Sequence, residues 1–123
     1  METTSTHRLL SAANGATALL GRLDLGQLPA LCALHIGANH RRGWRIGVAA
    51  LLNGYGLSEL EQIDAIRTWA VALGGVVRLD EQATPDEHGS HRHLAALVDL
   101  PDGSHFEVWT HLVRVSLSVP ASV

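Results

Sequence analysis

The chain has 123 residues, 46% of them hydrophobic and 17% charged, with a formal net charge of −3. That length suits one domain with a genuine core, and a mildly acidic chain is not built as a general polyanion binder. All nine basic residues are arginine, which excludes a Walker-type phosphate lysine, a Schiff-base lysine and a lysine base. Residues 1 to 58 hold five Arg against two acids, and residues 59 to 123 hold four Arg against ten. The opposed halves suit head-to-tail association or pairing within one fold. Cys32 is the single cysteine, so no disulfide forms within the chain, and its apolar neighbours predict a buried thiol. No signal peptide or membrane-length apolar run is evident, which gives a cytoplasmic expectation.

In chain order, residues 1–5 read as disordered. Thr6 is a candidate cap for a first helix running to about Arg22, with Leu9, Leu10, Ala13, Ala16, Leu19 and Leu20 at helical spacing. Leu28 to Ile36 and Trp44 to Leu51 read as two strands joined by the polar stretch Gly37 to Gly43. Trp44 shares its parity with Ile46 and Val48. Ser58 and Glu61 form an S-x-x-E capping box at the head of a second helix. Its apolar stripe is Leu60, Ile63, Ile66, Ala70 and Leu73, with Trp69 at the edge, and Gly74-Gly75 ends it. A strand starts at Val76, and residues 80–91 form a polar loop.

The firmest tertiary signal is the hairpin His93 to Leu112, closed by Pro101-Asp102-Gly103. Counting outward from Leu100 opposite Ser104 fixes its register. Val98 then faces Phe106, Ala96 faces Val108 and Leu94 faces Thr110 on an apolar side. Asp99 faces His105, Leu97 faces Glu107, Ala95 faces Trp109 and His93 faces His111 on a polar side. The order α-ββ-α-βββ predicts a single two-layer α+β domain over 1–123, with a mainly antiparallel sheet and a tail from about 116 that extends or hangs free. The second helix is expected over one face, the first beside it or over the opposite face.

Several surfaces compete for function. Trp109 lies on the polar side with Leu97, Ala95, His93 and His111, and is a candidate interface anchor unless the first helix covers it. Arg41, Arg42 and Arg45, beside Trp44 at a hairpin tip, form the one basic cluster suited to nucleic acid. His91, His93 and His111 are weak candidates for a metal, without any spaced metal motif. His105 and Glu107 form a possible acid–base pair with no nucleophile beside them. Gly54-Tyr55-Gly56 lacks the spacing of a phosphate loop.

The segments Ile66-Arg67-Thr68-Trp69-Ala70-Val71-Ala72-Leu73-Gly74-Gly75 and Phe106-Glu107-Val108-Trp109-Thr110-His111 resemble small α+β proteins of high-GC actinobacteria and their phages. The resemblance implies an accessory or regulatory setting and carries no catalytic residue. The expectation is therefore a non-enzymatic, self-associating interaction module, most simply a homodimer, without a cofactor. A nucleic-acid-binding accessory protein is the second reading, and a metal-binding or acid–base enzyme the third.

Overall fold

A computed structural model describes residues 5–81 and 90–114; of residues 81, 90, 91, 113 and 114 only the backbone is described. The expectations for residues 1–4, for most of the 80–91 loop and for the tail from 115 lie outside the described residues. Helix α1 spans Ser5–Leu20, strand β1 Leu31–Asn39, β2 Arg45–Leu52, helix α2 Glu59–Leu73, β3 Val76–Glu81, β4 Ser90–Asp99 and β5 His105–Arg114. The five strands form one sheet in the order β1-β2-β5-β4-β3, and only the β2–β5 pair is parallel. This is the expected two-layer α+β fold.

The hairpin register is as counted from the turn, residue for residue. Gly103 takes φ 90°, and its N–H donates to the Leu100 carbonyl at 3.0 Å. An L side chain rarely adopts that conformation, which explains glycine there. The turn fixes β4 and β5, and the alternation then divides the sheet into two unlike faces.

One face is the core. Val48, Ala50, Leu52, Leu94, Ala96, Phe106, Val108 and Leu112 pack with Ala12 and Ala16 of α1 and with Ala65, Ile66, Trp69, Ala70 and Leu73 of α2. Both helices therefore lie on the same face. The capping box at Ser58 and Glu61 is complete, and Gly74 closes α2 at φ 69°.

Five expectations need correction. Leu60 is 74% exposed rather than buried. The buried stripe centres on Ile66, Trp69, Ala70 and Leu73, and six residues at 100° each turn Leu60 about 120° away from Ile66. Trp69 is core, 1% exposed, and its indole N–H donates to the Pro29 carbonyl at 2.9 Å. Trp44 is not in a strand: it sits at φ 65° after Gly43 at φ 66° and is 70% exposed. Two successive left-handed residues turn the chain before β2 begins, which breaks the parity shared with Ile46. Cys32 is exposed because β1 is an edge strand. The first hairpin is also shifted: β1 lies three residues later than read, running on through Gly37 to Asn39, and β2 one residue later.

Candidate functional site

The other face of the sheet carries no helix among the described residues. It presents Gly47 and Ala49 from β2, His105, Glu107, Trp109 and His111 from β5, and His93, Ala95 and Leu97 from β4. A buried carboxylate at the middle of such a face is unusual, because desolvating an unpaired charge is costly. Glu107 is nevertheless fully buried.

Its partners come from three directions. Asn39 Nδ2 donates to Glu107 Oε1 at 3.2 Å, and Arg42 Nε donates to the same oxygen at 3.1 Å. His93 Nε2 lies 3.0 Å from Oε2. An ionised carboxylate only accepts, so His93 holds its proton on Nε2. Burial alone would raise the Glu107 pKa, but the His93 hydrogen bond and the Arg42 charge outweigh it and hold it below the ordinary 4.5.

The connection between β1 and β2 supplies two of these partners. Asn39 caps a single turn, His40–Arg42, by accepting from the Arg41 N–H at 2.9 Å. Gly43 and Trp44 then return the chain to β2, and the Trp44 N–H donates to the Asn39 carbonyl at 2.9 Å. This fold of the tip turns Arg42 inward across the sheet. Its Nη1 reaches Asp80 Oδ2 of β3 at 3.2 Å, and its side chain is only 6% exposed. The Arg42 charge also helps hold Asp80 below the ordinary 3.8, against an opposing effect of burial that is the largest single influence.

Beside Glu107 lies His105, 3% exposed. Neither ring nitrogen of His105 has a hydrogen-bond partner among the described residues, and the same holds for His93 Nδ1 and Arg42 Nη2. Burial lowers the His105 pKa below the ordinary 6.5, outweighing the opposing charge of Glu107, so the ring is neutral at pH 7. The ring rests on Gly47, where a methyl group would overlap it. Gly37, Gly47 and Ala49 leave room over β1 and β2. The result is a concavity of about 280 Å³ lined also by His35, Asn39, Arg41, His93, Trp109 and His111. Trp109 stacks on His93 with ring centroids 5.0 Å apart, and His111 meets His93 edge-on at 5.4 Å.

The expected candidates divide accordingly. Trp109, His93, His111, His105 and Glu107 converge on this concavity. Ala95 is fully buried, Leu97 and Trp109 are half-buried, and α1 lies on the opposite face, so it does not cover Trp109. His93 and His111 are adjacent, but no group of three potential metal-ligating residues is arranged to hold an ion among the described residues. The His91 side chain lies outside them. The arginines separate: Arg42 faces inward, while Arg45 donates to Asp99 at 3.2 Å and to the Gly103 carbonyl at 2.7 Å. Arg41 remains at the rim.

Asn39 is absent from the sequence-based candidates, and Arg42, expected at a nucleic-acid surface, instead turns inward to Glu107. The sequence held one clue: in the hairpin register Glu107 faces Leu97 and lies one pair from Ala95, an apolar setting where a buried acid needs a cation. The cation comes from the tip of a different hairpin, a distant pairing that no local pattern encodes. The chain matches no protein-family model, no curated protein and no solved structure.

Proposed function

We propose that this protein is a small-molecule-binding module whose site is the concavity over Glu107. The observation that carries the reading is His105: an almost wholly buried imidazole, next to a buried charged network, neither of whose nitrogens has a partner among the described residues. Buried polar groups without partners are rare, and a ligand is one means of satisfying them.

The chemistry favours a planar, polar ligand. Glu107 is already paired with Arg42, and Arg41 is the other charged residue of the lining. A neutral His105 ring carries one donor and one acceptor, and His93 Nδ1 is a further ring nitrogen of the lining with no partner among the described residues. Trp109 offers a flat apolar surface. A heterocycle with donors and acceptors along one edge, such as a nucleobase, answers this pattern.

Binding suits the site better than catalysis. Glu107 already accepts three hydrogen bonds, which leaves it a poor base, and among the described residues no Ser or Cys lines the concavity. The test is a titration with adenine, cytosine and uracil, read by tryptophan fluorescence. Saturable quenching by at least one base, lost in His105→Leu and retained in Arg41→Ala, supports the reading. No quenching by any of the three, or quenching that survives His105→Leu, overturns it.

A further inference from the structure

We infer that β1 is the seam of a homodimer in which two copies join edge to edge into one continuous sheet. This inference is independent of the ligand site, and it moves self-association away from Trp109.

Among the described residues the sheet ends in two edge strands, β1 and β3, and they differ. Strand β3 carries Arg78, Asp80 and Glu81 within six residues. Charges of that kind are how natural proteins discourage edge pairing. Strand β1 reads Leu-Cys-Ala-Leu-His-Ile-Gly-Ala-Asn and carries no Arg, Asp or Glu in nine residues. It also lacks an internal proline. A bulge between Leu31 and Ala33 interrupts its start, leaving Ala33 to Asn39 as a regular run. Such a run presents a row of backbone donors and acceptors that a further strand satisfies.

Exposed apolar side chains occur on both edges, since β3 exposes Val76, Val77 and Leu79, so it is charge that separates them; on β1, Leu34 is 60% exposed and Ile36 is 42% exposed. Both share the helix-bearing face, because they pair with Ala50 and Val48. The neutrality of the strand selects the occupant. A second β1 meets no like charge, whereas an acidic or basic partner strand finds no counter-charge. Antiparallel pairing about His35 sets Leu34 of each copy opposite Ile36 of the other. This forms two apolar cross-strand pairs of the kind that stabilise sheets. The two-fold axis then runs perpendicular to the sheet, so both helical layers lie on the same side. Helix α1, which packs on β1 and β2, flanks the seam with its copy.

The test is sedimentation of the full chain across a micromolar concentration series, with hydrogen exchange of the β1 amides. The expected result is a species of twice the chain's mass. In Leu34→Lys/Ile36→Lys, dimerisation should weaken by more than about tenfold while the helical circular dichroism stays unchanged. Both positions are exposed, so lysine is compatible with the fold; Leu34→Lys alone gives the same result in weaker form. A monomer throughout the series overturns the proposal. So does a dimer that survives both lysines. A monomer whose β1 amides are protected at every dilution also overturns it, because another part of the chain then covers the edge.

Discussion

Replacing Arg42 with alanine tests the charged network that organises the open face. Arg42 lies at a hairpin tip, where truncation ordinarily changes stability by within about 0.5 kcal/mol. Here it is 6% exposed on its side chain and pairs with a Glu107 side chain that is 1% exposed. Removing one partner of a buried ion pair costs about 3–5 kcal/mol, because the other charge stays desolvated. Asn39 and His93 still donate to Glu107 in the variant, which places the expected loss near the lower end, about 3 kcal/mol. The contact with Asp80, whose side chain is 24% exposed, adds at most about 1 kcal/mol. For a chain of this size a loss of about 3 kcal/mol corresponds to roughly 10 °C in Tm. Urea unfolding at pH 7, followed by circular dichroism, provides the measurement. Adding Glu107→Gln to Arg42→Ala should recover part of the loss, since the stranded charge is removed. Arg41→Ala, with its side chain at the rim, should stay within about 0.5 kcal/mol. If Arg42→Ala behaves like Arg41→Ala, the network does not hold the hairpin tip to the sheet.

Other outcomes follow from the same geometry. Phe106→Ala should cost about 3–5 kcal/mol by urea unfolding, because Phe106 is fully buried between the sheet and the helices; a loss below about 1 kcal/mol would reverse the assigned hairpin faces. Acid should act in two stages. The unfolded chain takes up a proton on His105 near 6.5, while burial lowers the pKa of the folded ring, so stability falls as pH drops below about 6.5. Glu107 is held below 4.5 in the fold, so its contribution is present above 4.5 and is lost as pH falls further through the lowered value. His105→Leu should flatten the first stage, and thermal melts between neutral and mildly acidic pH report it. Gly47→Ala should destabilise the fold and displace the His105 ring, visible as changed histidine resonances by NMR; an unchanged spectrum would contradict the close approach.

The turn chemistry at Pro101-Asp102-Gly103 and the capping box at Ser58 are local, and they made the hairpin register and α2 legible. Alternation then separated Phe106 and Val108 from Glu107 and Trp109 without further information. Where periodicity alone was used it slipped: Leu60 fitted a stripe that Trp69 in fact rotates. Trp44 was misplaced because two left-handed residues carry no distinctive sequence beyond one glycine. The convergence of His93, His105, Glu107 and Trp109 was partly visible from the register. The inward turn of Arg42 was not, because it depends on Asn39 capping a tight turn and on an acid more than sixty residues away. The parallel β2–β5 pair was equally hidden, since strand order in space is set by packing of the completed core.

The proposed ligand would meet His105 and His93 inside the open-face concavity. The most direct measurement is a proton–nitrogen NMR spectrum of the histidine side chains at pH 7, recorded alone and with adenine, cytosine or uracil. A neutral His105 ring is expected in the free protein, with ring resonances of His105 and His93 that shift saturably with at least one base while His7 remains still. A protonated His105 at pH 7, or histidine resonances indifferent to all three bases, would contradict this reading.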